Sequence, residues 1–412
     1  MSDATSLGSL PLFSGQGGIV HFGDGVHMLQ MWSNVCIIES DEGVALFDAG
    51  FEFNAPRILE EVRAITDQPV LYIIYGHGHA DHAFGAASLL YEAQERGFPK
   101  PLIVAQADLR KRFDRYRLTL PYQEHINRIQ FDIPENIPAF SRTYIYPHRT
   151  YRERLTLRLG GITLELRHAR GETDDHTWLW IPELEVACVS DLWVWSCPNA
   201  GNPFKVQRYP LEWAKALEAV ARKSPRLLLP GHGEALSGKE EIREACLTVA
   251  RALRCLHDQV VEMLNRGMWP QEILRSFRWP EEFATIPYLA PIYGHPYFIV
   301  QALLRQYHGW YDGNPSHLFP AAEGEIAREI LHIAGDPKRL LDRARVLAEE
   351  GKAQLALHLA DLVVEGGAEP RKEALELKAG LLKKLADEEK SLIARNIFLA
   401  GERQIRRALK GL

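Results

Sequence analysis

Short apolar runs that end in polar or turn residues dominate the first ~235 residues, and they alternate with stretches of helical periodicity. This pattern is typical of an α/β domain. Several runs stop at Asp, His or Gly, and loops at strand ends are where such folds carry their chemistry. The predicted strands are VCIIES (35–40), VALFDAG (44–50), VLYIIYG (70–76), ITLELRH (162–168), EVACVSD (185–191) and RLLLPGH (226–232).

The pattern changes near residue 238, where Ala/Leu/Glu/Lys/Arg periodicity replaces the strand-like runs. It predicts one long amphipathic helix over 239–265, an aromatic and Pro-rich stretch over 269–320, and short helices over 323–410. Residues 351–385 have the helix–turn–helix rhythm of a tetratricopeptide unit. Since a free-standing array needs about three units, we expect these helices to pack on something else, such as a second subunit. We therefore predict two domains, 1–237 and 238–412.

Composition narrows the class of protein. The 412 residues are 46% hydrophobic and 25% charged, with a formal net charge of −6 and a pI near 6.3. No basic stripe suggests a nucleic-acid partner, and no apolar stretch is long enough to span a membrane. The start, MSDATSLGSLPLF, predicts no signal peptide. Five cysteines without CxxC spacing indicate reduced, mostly buried thiols in a cytoplasmic protein.

The strongest candidate for chemistry is Gly76-His77-Gly78-His79-Ala80-Asp81-His82, between an apolar run and a predicted helix. Residues i and i+2 of an extended segment face the same side, so His77 and His79 can bind one metal ion together. The turn into the helix then brings Asp81 and His82 toward a second ion. Imidazole and carboxylate are suitable donors for zinc and similar ions. The alternative is a polar loop that is merely rich in histidine.

Two ions need more ligands, and candidates follow three later predicted strands. They are the segment 168–173 (HARGET), Asp191 and His232.

This order of motifs resembles the metallo-β-lactamase superfamily, over roughly residues 18–235. The resemblance implies an αββα sandwich with the metals at one edge of the two sheets. The superfamily usually has H-x-x-G-H-T at the third motif, whereas Glu172 stands here in the place of the ligand histidine. That substitution is similar to the alkylsulfatase branch, which includes dodecyl-sulfate hydrolases. The branch commonly has Glu as the carboxylate that bridges the metals, where this sequence has Asp191.

The second half resembles the same branch. GWYDGNPSHLFP (309–320), the tetratricopeptide-like helices and ARNIFLAGERQIR (394–406) are similar to the alkylsulfatase dimerisation domain, which implies a homodimer. The resemblance implies a fold of αββα sandwich followed by an all-α domain. It also implies two divalent metal ions held by seven ligands. We expect zinc, with iron and manganese as alternatives; the ligands are His77, His79, Asp81, His82, Glu172, Asp191 and His232.

The implied function is hydrolysis of an anionic small-molecule ester, an alkyl sulfate, by a hydroxide held on the metals. We expect Asp81 to be one of the catalytic residues. The negative charges of three carboxylates and the hydroxide would balance the positive charges of two divalent ions. An anionic substrate would therefore need other polar partners in the protein. Asn199, Lys205 and Arg208 are candidates for holding sulfate oxygens, unless they belong to an ordinary solvated loop.

Several residues keep two interpretations. Asp48 either orients a ligand histidine or ends its strand as a turn residue. His176 either has a functional role, as a proton donor or as part of the pocket wall, or is a structural residue. We expect Trp178 and Trp180 to alternate on one strand and Trp193 and Trp195 on another. Alternating aromatic residues more often belong to the core than to a pocket for the substrate's alkyl tail. The tyrosines and histidine of 288–297 either pack domains together or cap the site.

Other functions fit the same motifs. A lactonase, thioesterase or phosphodiesterase of the same fold would use the same ligands, because a fold alone does not choose the bond. A helical scaffold with a structural metal site is an alternative from another class, although structural sites are usually closed and four-coordinate.

Overall fold

The computed structural model describes residues Gly18–Gly411. The N-terminal segment on which the signal-peptide prediction depends lies outside them. The described chain divides into two compact units. The first contains the residues up to Glu124 and Phe140–Gly309, and the second contains His125–Ala139 and Trp310 onward. The predicted boundary at 237/238 stays a prediction.

Two β-sheets form the centre of the first unit. One has seven strands in the order β1 to β7, antiparallel from β1 to β4 and parallel from β4 to β7. These strands are β1 (Gly18–His21), β2 (Val26–Gln30), β3 (Val35–Glu39), β4 (Val44–Phe47), β5 (Val70–Ile74), β6 (Leu102–Gln106) and β7 (Arg149–Tyr151).

The other sheet has six strands in the order β13-β12-β11-β10-β9-β8, and only its β11–β12 pair is parallel. The strands are β8 (Arg154–Leu159), β9 (Ile162–His168), β10 (Thr177–Ile181), β11 (Val186–Ser190), β12 (Leu227–Pro230) and β13 (Leu236–Ser237). All six strands predicted from the apolar runs are present within two residues at each end, except that β4 ends three residues before the end of its predicted run.

Alternation along the strands builds three apolar layers. In β4, Ala45 and Phe47 point between the sheets, while Val44 and Leu46 point toward helices on the outer face. In β11, Cys188 packs between the sheets and Val189 packs toward the helices of the second sheet. Both strands are fully buried, which explains why they appear in the sequence as continuous apolar runs.

Helices cover both outer faces, so the first unit is the predicted αββα sandwich. The helices of this unit are α1 (Ala55–Ile65), α2 (Ala80–Ala83), α3 (Ala87–Glu95), α4 (Asp108–Leu118), α6 (Pro210–Lys223), α7 (Lys239–Asn265), α8 (Pro270–Ser276), α9 (Glu281–Ala284) and α10 (Pro296–Tyr307). Helix α5 (Leu120–Phe131) crosses from the first unit into the second. The helix predicted over 239–265 is confirmed, and its apolar face packs with α6 in one core cluster.

The second unit is helical. Its helices are α11 (Glu323–Ala334), α12 (Pro337–Glu349), α13 (Ala353–Glu365), α14 (Arg371–Glu388) and α15 (Leu392–Lys410). They enclose a core of their own that includes Leu341, Ala356, Ala379 and Ile405. The predicted helix–turn–helix over 351–385 corresponds to α13 and α14; its assignment as a tetratricopeptide unit stays a prediction. None of the described helices combines the length and apolar character needed to cross a membrane.

One expected element is wrong. Trp193 and Trp195 lie in a turn after β11, and not on a strand. Their rings meet edge to face, with centroids 5.6 Å apart. Trp178 and Trp180 do alternate on β10, and both are buried in the core, as expected for structural tryptophans.

Candidate metal centre

The loop after β5, residues 76–82, presents four of the predicted ligands; we call it the ligand loop. His77 Nε2 lies 2.9 Å from His79 Nδ1, so the i, i+2 pair does point to one place. Glycine is required on both sides of His77. A Cβ on Gly76 would lie 2.5 Å from Asp48 Oδ1, and a Cβ on Gly78 would lie 2.7 Å from Arg112 Cδ.

The structure brings all seven predicted ligands together in two groups of donor atoms. Within each group the donor atoms lie within 4.8 Å of one another. The ligand loop, the turn after β9, and the ends of β11 and β12 all contribute. The first group is His77, His79, Glu172 and Asp191, and the second is Asp81, His82 and His232.

Asp191 lies between the two groups. Its Oδ1 is 3.2 Å from His82 Nε2 and 3.3 Å from His232 Nε2, and its Oδ2 is 3.7 Å from His77 Nε2. Among the described residues, His82 Nε2 and Asp191 Oδ1 are buried atoms without a hydrogen bond, although they face each other. Buried polar atoms almost always have partners. The donor set therefore fits two divalent ions that share Asp191.

Electrostatics keep the first group ready for a cation. Burial, and then the neighbouring His82, hold the pKa of His77 well below its ordinary value, and burial does the same for His79. Both imidazoles are therefore neutral, as metal ligation requires. Burial opposes ionisation of Asp191, but His82 and His232 outweigh it and hold the pKa of its carboxyl well below the usual range.

Glu172 behaves differently. Burial first, and the nearby Asp191 carboxylate as well, raise its pKa to about 8, although Arg208 opposes this. Arg208 Nη1 nonetheless lies 2.6 Å from Glu172 Oε1. In the metal-free site the Asp191 charge thus disfavours ionisation of Glu172, and a bound cation would oppose that effect.

Asp48 orients the ligands, which is one of its two predicted roles. Its Oδ2 lies 2.9 Å from His82 Nδ1, and its Oδ1 accepts a hydrogen bond of 2.7 Å from the Gly76 amide. Ser190 Oγ donates to Asp48 at 2.8 Å. Asp48 and Ser190 both have positive φ, 67° and 46°, so the backbone is strained at both points where β4 and β11 meet the metal centre.

The predicted sulfate-binding residues have different surroundings. Asn199 Nδ2 and Arg208 Nη1 both donate to Glu172 Oε1 at 2.6 Å, so these two buried side chains fix the Glu172 carboxylate. Lys205 is half-buried. Burial, and then Arg208, lower its pKa to about 7, while Glu172 and Asp81 act in the opposite direction. Its ammonium group therefore lies within the electrostatic reach of both donor groups.

His176 has the contacts of a structural residue. It is fully buried, its Nε2 lies 3.0 Å from the Val189 carbonyl oxygen, and its ring stacks on His77 with centroids 5.2 Å apart. Burial lowers its pKa. These observations favour the structural alternative, and we assign no proton transfer to His176.

Tyr293, in the Pro-rich stretch, lies within the electrostatic reach of the metal-centre carboxylates. The pKa of Tyr293 is raised well above its ordinary value, by burial first and then by the charge of Glu172, with Asp81 and Asp191 adding to it. Tyr288 instead packs on Trp193, with ring centroids 5.1 Å apart. The capping alternative therefore fits Tyr293, and the packing alternative fits Tyr288.

Sequence analysis missed a buried ion-pair network beside the ligand loop. Arg112 on α4 donates to the carboxylates of Asp174 and Asp175, and Asp175 in turn accepts from the Gly78 amide. The two adjacent carboxylates just after Glu172 were the available signal, but their partner lies 63 residues away from Asp175 in the chain.

Comparison with known proteins agrees with this geometry. Residues 33–232 match the model of the metallo-beta-lactamase superfamily, and residues 269–408 match that of the alkyl sulfatase dimerisation family. The chain therefore contains a metallo-β-lactamase superfamily domain and an alkyl sulfatase dimerisation domain.

Its relatives are distant in sequence. It is 25% identical over 395 residues to a linear primary-alkylsulfatase of Pseudomonas sp., covering 91% of this chain and 74% of that protein. It is 22% identical over 408 residues to an (R)-specific secondary-alkylsulfatase of Pseudomonas sp., covering 91% of this chain and 60% of that protein. The solved structure of the stereoselective inverting sec-alkylsulfatase Pisa1 from Pseudomonas sp. aligns with a TM-score of 0.83 at 20% identity. That alignment covers 94% of this chain and 65% of Pisa1.

Proposed function

We propose that the protein is a two-metal hydrolase that cleaves alkyl sulfate esters. The observation that carries the proposal is the pair of donor groups that share Asp191, with Glu172 in the position where the superfamily usually has histidine. The alkylsulfatase names of its relatives support the choice of substrate. We propose zinc as the metal, with iron and manganese as alternatives. The cytoplasmic location stays a prediction.

When bound, two divalent ions would lower the pKa of water toward about 7 and polarise an ester oxygen. The protein's own side chains do the rest. Asp48 fixes the ring of His82, and the Trp32 carbonyl oxygen, 2.6 Å from His232 Nδ1, fixes the ring of His232. Asn199 and Arg208 hold Glu172 toward the first group. These contacts set the direction in which each ligand points before any ion binds.

We assign the sulfate group to Lys205. Besides burial and Arg208, which lower its pKa, Lys205 experiences the charges of Glu172 and Asp81, one from each donor group. A charge-assisted hydrogen bond from its ammonium to a sulfate oxygen would add the cation that the nearly neutral metal centre lacks. Tyr293 lies close enough to sense the same carboxylates, so it would border the same space.

We also propose that the chain forms a homodimer through α11. Three isoleucines on this helix, Ile326, Ile330 and Ile333, are 46%, 38% and 84% exposed. Their i, i+4, i+7 spacing places them on one face, and an exposed apolar stripe on a helix usually marks an interface. The helix lies inside the segment that matches the dimerisation family.

The substrate assignment is tested by measuring sulfate release from primary and secondary alkyl sulfates, with a lactone, a thioester and a phosphodiester alongside. We expect sulfate release that Asp81→Ala and Glu172→Ala abolish. Asp24→Asn serves as a control, since Asp24 is exposed and pairs with Arg226. Turnover of another ester without sulfate release would contradict the substrate and keep the metal centre.

A further inference from the structure

Two of the segments that supply the first donor group lie in direct contact, and the third, the end of β11, carries Asp191. The ligand loop carries His77 and His79, and the turn 168–177, which we call the ligand turn, carries Glu172. The segments touch through their backbones, where the Thr177 amide donates to the Gly76 carbonyl oxygen at 2.6 Å. A side chain reinforces the contact, because the Gly78 amide donates to Asp175 Oδ2 at 2.8 Å.

A third element holds this junction. Arg112 projects from α4, and its Nε donates to Asp175 Oδ1 at 2.5 Å while its Nη2 donates to Asp174. The side chains of Arg112 and Asp175 are only 3% and 0% exposed, so solvent does not weaken their pairing. Asp174 is tied down further, since its carbonyl oxygen lies 2.8 Å from His168 Nε2. The guanidinium fork thus fixes two consecutive residues of the ligand turn.

The second donor group is supported by other contacts. His82 is held by Asp48, and His232 is held by the Trp32 carbonyl oxygen. Neither contact involves Arg112. Loss of Arg112 should therefore loosen Asp174 and Asp175, and with them the side-chain contact to Gly78, without disturbing the supports of His82 and His232.

We propose that Arg112 is a positioning residue that sets the metal affinity of the first donor group through Asp174 and Asp175. It acts on the geometry between Glu172 and the His77–His79 pair, and it leaves the second group largely unaffected. The inference rests on the proposed metal centre but not on the proposed substrate. Contacts that orient metal ligands typically change metal affinity by about 10- to 100-fold when they are lost.

The test measures stepwise Zn²⁺ affinity of the full chain by competition with a chromogenic chelator, with metal content checked after dialysis. The variants are Arg112→Met, Arg112→Lys and Asp175→Asn. Arg63→Met is the matched control, because Arg63 makes a similar two-pronged pair with Glu92 on α3. Circular dichroism reports whether each variant folds.

We expect Arg112→Met and Asp175→Asn to weaken the affinity for one of the two ions by about 10- to 100-fold. The affinity for the other ion should change by less than about threefold. Arg112→Lys should fall between wild type and Arg112→Met, since lysine cannot reproduce the fork. If Arg112→Met does not fold, Arg112→Lys decides the question alone. In a His232→Ala background, which keeps all four side chains of the first group, Arg112→Met should weaken binding of the ion that remains.

If both ions bind tightly and neither Arg112→Met nor Arg112→Lys changes their affinities, the inference is overturned. The proposed function would be unaffected by that result. Equal weakening of both ions would also overturn it, because the effect would then be a general loss of structure. A wild-type chain that binds no zinc, iron or manganese would contradict the proposed function itself and this inference with it.

Discussion

The substitution Asp191→Asn tests the shared carboxylate most sharply. Asparagine keeps the shape of the side chain and removes its charge. The Asp191 oxygens lie within 3.2–3.7 Å of ring nitrogens from three ligand histidines, so one substitution reaches both donor groups. The side chain is only 6% exposed, and water cannot replace the lost charge.

Removing one partner from a buried charge pair costs about 3–5 kcal/mol. Since about 1.4 kcal/mol corresponds to a tenfold change in an equilibrium constant, we expect affinity for the two ions to fall by roughly 10²- to 10⁴-fold. Chelator competition with Zn²⁺ measures this directly, with Asp24→Asn as the control. Two ions still bound within about tenfold of the wild-type affinity would refute the placement of Asp191 between the metals.

Four further predictions concern individual residues. Lys205→Met should raise KM for an alkyl sulfate by about 10- to 100-fold with a smaller change in kcat, because a charge-assisted hydrogen bond contributes about 1.5–3 kcal/mol. Because the pKa of Lys205 is lowered to about 7, its ammonium charge is present below that pH and lost above it. The wild-type KM should therefore rise as the pH increases through 7. A KM that does not depend on pH would count against the assignment. Gly76→Ala should lower the free energy of unfolding by about 1–3 kcal/mol in urea titrations, because its Cβ would lie 2.5 Å from Asp48 Oδ1, and an unchanged midpoint would contradict that contact. Ile330→Glu should convert the dimer to a monomer in sedimentation velocity while leaving metal content unchanged, whereas a persisting dimer would exclude the α11 face.

The ligand positions could be predicted because their signal is local. Each ligand segment follows an apolar run, and strand ends on one side of a sandwich meet at one edge. The resemblance to a known family then selected Glu172 within HARGET. The runs predicted an α/β domain and the resemblance implied the αββα architecture. That architecture agrees with β4 and β11, which are buried on both faces and therefore need covering layers on each side.

Roles that depend on contacts distant in sequence could not be predicted. Arg112 meets Asp175 across 63 residues, and Arg208 meets Glu172 across 36. Asn199 and Arg208 were expected to face substrate, but their partner is Glu172, because a buried carboxylate requires its own donors. Trp193 and Trp195 alternate like strand residues, yet the chain turns after β11 to place Asp191.

Sulfate release measured against equivalents of metal added to metal-free protein tests the central claim most directly. The account predicts no release without metal and a rate from an alkyl sulfate that rises until two equivalents of Zn²⁺, iron or manganese are bound. Sulfate release by the metal-free chain, or full metal loading without any sulfate release, would contradict it.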